Sequence, residues 1–405
     1  MRSVEEHQRV VAGLIRARPA APVPLADALG LALAGEVLAP LALPVFDNSA
    51  MDGYAVRAED VAGAGPDKPV KLPVAEDIPA GRTDELTLAP GTAHRIMTGA
   101  PLPDGATAVV PVEVTDAGTE VVTVSASARP GQHIRRAGED VAAGATVLRA
   151  GQILTPPALG LAAALGLADL TTVPRQRVLV VSTGSELVAA GDPLRPGQIY
   201  ESNAVMLAAA VRDAGAELAA VATCGDDVGR FRALLDDHAG RCDVVITSGG
   251  VSAGAYEVVK DAFGAQDRVE FVKVAMQPGM PQGAGTLPDG RAIITLPGNP
   301  VSALVSFEVF LRPALRAAMG VPHPDRPRRT AVLTESLTSP PGKRQFRRGV
   351  FDPAAGTVTG YGPPASHHLR WLASANCLLD IGPEVTEVGA GEPVAVWDLS
   401  PVGAH

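Results

Sequence analysis

The sequence predicts an α/β multidomain chain, and three observations carry that prediction. From about residue 175 to 319, continuous apolar runs alternate with helical patterns at the spacing of βαβ units. The stretch 46–138 instead shows short β-prone runs between Gly, Pro and Asp turns, with Ala/Leu-rich helical segments on either side. After a proline-dense run at 321–329, short alternating strands return. The chain has 405 residues, 46% of them hydrophobic, so it can build several cores. Gly (43) and Pro (36) together make about a fifth of it, an unusual density of turn residues.

In chain order, Ser3-Val-Glu-Glu6 is a capping-box pattern, and Val10, Val11, Leu14 and Ile15 follow at helical spacing. Leu25–Leu33 reads as a second helix. Short strands are expected at Ala106–Val112 and Glu120–Val124, then a helix at Pro157–Leu167 packing with the first helices. This makes 1–45 with 139–174 a helical linker region and 46–138 an inserted β domain. Within 175–322, strands are predicted at Val178–Val181, Glu217–Ala222, Val244–Thr247, Val269–Val274 and Ala292–Leu296. Helices are predicted at Ala204–Asp213, Val228–His238, Glu257–Phe263 and Val301–Met319. The uninterrupted apolar character of Val178–Val181 marks a strand covered on both faces, as in a parallel sheet. The prolines of 321–329 cannot continue a helix, so 323–405 is taken as a small β-barrel or sandwich-like domain.

Composition excludes several functions. A net charge of −10 and 3% aromatic residues argue against a nucleic-acid binder. The longest uncharged stretches, Ile153–Ala168 and Ala292–Phe307, are short for a membrane span and contain proline. Glu5 and Glu6 sit where the apolar part of a signal peptide would begin. Cys224, Cys242 and Cys377 lie far apart without a CxxC or Cys/His cluster, the usage of a reducing, cytoplasmic compartment.

In open sheets of this kind ligands bind beyond the carboxyl ends of the strands. Four predicted strand ends carry unusual loops: Ser182-Thr-Gly-Ser-Glu186, Ser248-Gly-Gly-Val-Ser252, Gln277-Pro-Gly-Met-Pro281 and Pro297-Gly-Asn-Pro-Val-Ser302. Any α/β protein needs Gly at such turns. Four of them on one edge favour a phosphorylated ligand held by main-chain N–H groups and a helix N-terminus. No GxxxxGK[ST] occurs and no GxGxxG follows a strand. Glu186, Asp226 (or Asp227) and Glu257 follow predicted strands, where Mg²⁺ bound to phosphate would need oxygen ligands. Capping of the next helix is the plainer role for one of the aspartates. Lys273 falls inside an apolar run and is expected to be buried facing an anion or a carboxylate. Pro44–Arg57, Arg95–Gly105 and Gly131–Asp140 are the other dense polar segments. By composition they read as ordered turns and surface ion pairs.

Together, Asp47-Asn-Ser-Ala-Met-Asp-Gly-Tyr-Ala55, Ile96-Met-Thr-Gly-Ala-Pro101, Arg135-Arg-Ala-Gly-Glu-Asp140, the Ser182–Glu186 and Thr247–Ser252 loops and Leu296-Pro-Gly-Asn-Pro-Val-Ser-Ala303 resemble the MoeA family. These are the molybdopterin molybdenumtransferases, similar to the E domain of gephyrin. The resemblance spans nearly the whole chain. The related MogA/MoaB and CinA-like proteins share only the sheet-edge loops. It implies a helical linker region, an inserted β domain, a MogA-like α/β domain and a C-terminal β-barrel, assembled as a homodimer with each cleft shared between chains. It implies that molybdate is inserted into adenylylated molybdopterin with Mg²⁺ and release of AMP, alongside other molybdenum cofactor biosynthesis proteins.

By matching motif, Asp52 and Thr98 would act across the dimer. Glu186, Asp226 and Glu257 would be catalytic and hold the metal, and Lys273 would supply positive charge. Asp140, Thr183, Gly184, Ser248, Gly249, Gly250, Ser252, Pro297, Gly298, Asn299, Pro300 and Ser302 would bind substrate. Arg347 and Ser366, with Arg348 beside them, align more loosely with cleft residues. Two departures stand out: Glu257 replaces a common Asp, and Gln277 and Met280 stand where well-known relatives carry lysines. Two other functions stay open on the sequence: a MogA-like molybdopterin adenylyltransferase, and a non-catalytic pterin-binding scaffold.

Overall fold

The computed structural model of the chain describes residues 1–250, 258–263 and 268–400. At its centre is a six-stranded sheet in the order Glu217–Cys224, Arg177–Thr183, Val244–Ser248, Ala292–Leu296, Pro281–Thr286, Val269–Lys273. The first four strands are mutually parallel. Alternate residues of each strand face opposite layers, as the pleat requires. Val178 and Val180 pack with Leu207, Val211, Val305 and Leu315 on one side. Leu179 and Val181 pack with Phe231, Leu235 and Phe263 on the other. Helices therefore cover both faces, as the apolar strands demanded.

Pro281–Thr286 was not foreseen as a strand, and it runs antiparallel to both neighbours. Its composition hides it, and the structure shows why: a Cβ on Gly283 or Gly285 would stand 2.0 Å from Thr295 Oγ1 or from the Arg268 carbonyl. Only glycine allows that approach. The helix expected at Val301–Met319 is present as Pro300–Ser306 and Arg312–Ala318 joined by a π-turn at Phe307–Leu311. Pro313 lacks the N–H that a regular ladder would use, which accounts for the local widening. The turn also presents buried Glu308 to Arg326, at 2.8 Å from Nε to Oε2.

The N-terminal helix Val4–Leu14 has the capping box read from Ser3 and Glu6. It does not pack with the later Ala/Leu helix: Val4, Val11 and Ile15 join the core of the central sheet. That later helix, Pro156–Ala164, packs instead with Ala28, Leu33, Leu154 and Leu170. The helix expected at Leu25–Leu33 is only a 3₁₀ turn, Leu25–Asp27, followed by a short strand at Ala32–Leu33. Gly30, at φ +76°, turns the chain between them. Strands Ala21–Pro24 and Asp169–Val173 complete a three-stranded sheet there.

Residues 53–124 form a five-stranded sheet in the order Ala108–Pro111, Gly53–Val56, Ala93–Ile96, Val70–Ile78, Val121–Val124, closed over Tyr54, Leu72, Val110 and Val122. The C-terminal strands Arg344–Asp352, Thr357–Gly360, Arg328–Leu333, Pro393–Asp398 and Cys377–Ile381 close on themselves into a five-stranded barrel. Met276–Gln277 pairs in parallel with Arg344–Gln345 and so joins the barrel to the central unit. Among the described residues, no helix is long and apolar enough to cross a membrane.

Candidate functional site

The carboxyl ends of three parallel strands and the helix starts that follow enclose a cavity of about 480 Å³. Arg177–Thr183 ends on Gly184, Val244–Ser248 on Gly249 and Gly250, and Ala292–Leu296 on Gly298 and Asn299. Gly249 and Gly250 are required by space. A Cβ on Gly249 would stand 2.9 Å from the Thr183 carbonyl, and one on Gly250 2.8 Å from Val259. Both residues have positive φ, which L side chains resist. Gly298 lies beside Gly249, and an added Cβ there would meet its Cα in ordinary contact at 3.6 Å. Main chain thus lines the floor, and the helix opening at Pro300 adds the positive end of its dipole.

Three carboxylates line this cavity, and two of them, Glu186 and Asp226, are exposed at its rim, while Glu201 is bonded within the protein. The Asp226 carboxylate accepts from the Ser185 main-chain N–H at 3.3 Å, while the Asp226 N–H donates to Ser185 Oγ at 3.2 Å. Its neighbour Asp227 caps the helix Val228–Asp237 by accepting from Arg230 N–H at 2.7 Å. The pair left ambiguous by sequence is therefore divided, one capping and one facing the cavity. Thr183 and Ser248 also line the cavity, and Thr183 Oγ1 donates to the Ser248 carbonyl at 3.3 Å. Pro297 is buried beneath the loop and Ser302 is buried in the first helical turn. Ser252 and Glu257 lie outside the described residues. Among the described residues, no group of three His, Cys, Asp or Glu converges to hold a metal ion.

The C-terminal barrel supplies one wall. Ser366 accepts from Asn299 Nδ2 at 3.0 Å, its carbonyl accepts from Val301 N–H, and His367 lines the cavity. Buried Arg348 holds that loop by donating to the carbonyls of Pro363, Ala365 and His368. Arg347 faces the adjoining cleft with Gln277, Gln345 and Pro364. Its guanidinium makes no hydrogen bond or ion pair with a described residue, and Nε is sealed from solvent. Burial pushes its pKa down.

Lys273 is a correction. It is exposed at the last position of its strand, makes no ion pair among the described residues, and does not line the cavity. Its strand is the last of the sheet and only half covered, so the side chain emerges into solvent although Val274 and Met276 beyond it are buried. Asp52 and Thr98 are brought together but not to this cavity. Asp52 Oδ1 accepts from both the N–H and the hydroxyl of Thr98 at 2.7 Å. Those two bonds, the main-chain one first, hold the Asp52 carboxyl below its usual range. Asp140 is exposed nearby in sequence to Arg136, whose Nη1 pairs with Asp47 at 2.5 Å rather than with the adjacent acids.

Glu201 and Asn203 were missed by the sequence reading. Glu201 Oε1 accepts from Ser182 Oγ and from Ala204 N–H, each at 2.7 Å. Asn203 Nδ2 donates to Ser248 Oγ at 2.7 Å and to the Gly298 carbonyl at 2.6 Å, tying two glycine loops together. Glu201-Ser-Asn203 opens a helix, a capping signal in sequence. Its link to Gly298, 95 residues on, exists only in the fold.

Comparison with known proteins agrees along the chain. Residues 2–166 match the family model described as MoeA N-terminal region (domain I and II). Residues 179–317 match the probable molybdopterin binding domain, and 330–399 the MoeA C-terminal region (domain IV). Molybdopterin molybdenumtransferase 2 of Mycobacterium tuberculosis is 70% identical over 99% of this chain and 100% of that protein. A molybdopterin molybdenumtransferase of Haemophilus influenzae is 35% identical over 92% of each. The crystal structure of a molybdopterin biosynthesis MoeA protein from Pyrococcus horikoshii superposes with a TM-score of 0.81 at 28% identity, covering 98% of this chain and 99% of that one.

Proposed function

We infer, since the chain belongs to the MoeA family, that it is a molybdopterin molybdenumtransferase, inserting molybdenum into molybdopterin during molybdenum cofactor biosynthesis. The finer reading is that adenylylated molybdopterin and molybdate are the substrates and AMP the second product. One observation carries it: a main-chain cradle of glycine loops and a helix N-terminus meets Glu186 and Asp226 in one cavity. Cleaving a phosphoanhydride needs negative charge neutralised on the phosphates and an attacking oxygen held in line.

In this reading the N–H groups of Gly250 and Gly298 bind the phosphates, while those of Gly184 and Gly249 donate at 3.0 Å to the Cys224 and Leu296 carbonyls and hold the loops in place. Asn203 keeps two of those loops in register. The two exposed carboxylates suit Mg²⁺, which binds through one or two carboxylates and substrate phosphates while keeping its waters. Glu186 and Asp226 would hold it, and bound there it supplies charge neutralisation on the leaving phosphate. Arg347 offers the oxyanion of molybdate a guanidinium that has no partner among the described residues. Asp52, held ionised by Thr98, is an acceptor at neutral pH. Delivered by a second copy in a homodimer, it would orient the attacking oxygen and take its proton. Three buried free cysteines support a reducing, cytoplasmic setting.

The test is to incubate pure protein with adenylylated molybdopterin, Mg²⁺ and molybdate, and to follow AMP release and cofactor activity together. Molybdate-dependent release of both supports the reading. Consumption of ATP with free molybdopterin would make the chain an adenylyltransferase. Wild-type AMP release by both Glu186→Gln and Asp52→Asn would leave only a binding role for those residues.

A further inference from the structure

A second cavity, of about 330 Å³, lies between the N-terminal region and the central unit. Leu31, Ile153 and Val173 form one wall, and Met319, Val321 and Arg316 the other. It is separate from the strand-end cavity. The helix Asn203–Asp213 starts at the strand-end cavity and ends just before Ala214 and Gly215, which line this second one. At 1.5 Å per residue those ends are roughly 16 Å apart. The helical segment beginning at Pro300 likewise ends here, at Arg316 and Met319.

The charges around it are unbalanced. Arg312 and Arg326 both bond to Asp213, at 2.6 and 2.7 Å, and Arg326 also bonds to Glu308. The two acids are thereby occupied. Arg316, one turn beyond Arg312, makes no hydrogen bond or ion pair with a described residue, and its Nε is sealed from solvent. Burial and then the like charges of Arg312 and Arg326 push its pKa down. Arg175, also on the cavity, spends its two Nη groups on the carbonyls of Gly215 and Leu29, which neutralise no charge. The negative end of the helix dipole favours a cation at Arg316 but gives its guanidinium no acceptor.

We propose that this junction cavity is a second small-molecule site, taking an organic anion that seats a carboxylate, sulfonate or phosphate on Arg316 and an apolar body between the two walls. The size lies within the range of small-molecule pockets, about 300–1,000 Å³. An arginine fork matches such oxyanions through two parallel hydrogen bonds. The proposal does not depend on the reaction assigned above, because its test reads binding alone.

The probes are anilinonaphthalene sulfonate and phenylnaphthylamine, the same ring system without the sulfonate, titrated by fluorescence into the full chain in its native assembly. The expected result is one saturable sulfonate site per chain. Its affinity falls about tenfold or more in Arg316→Met and is only partly kept in Arg316→Lys, since lysine retains the charge but not the two-bond fork. The uncharged dye should bind both variants as it binds the wild type. The Ile153→Trp variant, which fills the cavity, should weaken both dyes. The Tm of Arg316→Met should equal or exceed that of the wild type, because a cation with no partner among the described residues has been removed. Equal sulfonate affinity in wild type and Arg316→Met would overturn the proposal. So would equal losses for both dyes, absence of saturable binding because a second copy covers the cavity, or unfolding of Arg316→Met.

Discussion

The strand-end cavity and the Asp52–Thr98 cluster are built by opposite means. The cavity is shaped by main chain: Gly249 and Gly250 fit where a side chain would clash, and its loops are held by Asn203 and by contacts of Ser366. The cluster is shaped by side chains: an exposed carboxylate is fixed by two bonds from Thr98 and has no share in that cavity within the chain. The first region resists changes of shape. The second is sensitive to charge.

That contrast can be broken or sharpened by substitution. The largest effect is expected at the carboxylates of the cavity: Glu186→Gln and Asp226→Asn should each lower kcat by roughly 100-fold or more, the scale of losing a charge-stabilising group. Neither group is buried, so the Tm should stay near wild type. A large drop in Tm would mark them as structural. Next, Gly249→Ala should cost about 1–3 kcal/mol in stability, from strain at φ +92° and a Cβ 2.9 Å from the Thr183 carbonyl. Urea unfolding measures it, and an unchanged midpoint would mean that the cradle can relax. Thr98→Val should leave the fold intact and raise the Asp52 pKa, because the hydroxyl bond that favours the ionised form is lost. The acid limb of the pH–rate profile should move to higher pH, and a profile that stays in place removes Asp52 from the titrating step.

The smallest effect concerns Asp47, whose carboxyl is held low by the Ala137 main-chain N–H and then by Arg136. A lowered folded pKa stabilises the protein above the unfolded value near 3.8, and the benefit is lost as pH falls through the folded pKa. The site is partly exposed, so solvent screening limits the effect to about 0.5 kcal/mol. Asp47→Asn should therefore be slightly less stable than wild type at pH 6 and indistinguishable from it near pH 2. A difference that persists at pH 2 would point to shape rather than charge.

The sequence made the fold class legible because buried parallel strands announce themselves as apolar runs, and Ala292–Leu296 was read with its observed bounds. Pro281–Thr286 was hidden because a strand of glycines has no β-branched signature. The glycine loops of the site were legible through their position after strands. Lys273 was misread because a run of apolar neighbours does not reveal that the strand lies at the edge of the sheet, where alternate positions face solvent. Glu201 and Asn203 were not legible because their partners, Ser182, Ser248 and Gly298, are distant in sequence.

The account rests most heavily on the two regions meeting across a homodimer, and mixing two inactive variants measures that directly. Asp52→Asn and Glu186→Gln chains, unfolded together and refolded, should regain about a quarter of wild-type molybdate-dependent AMP release. Random pairing makes half the dimers mixed, and each mixed dimer has one intact site of two. Activity that stays at the level of the separate variants would contradict the shared site and place Asp52 and Glu186 in the same chain's chemistry or in none.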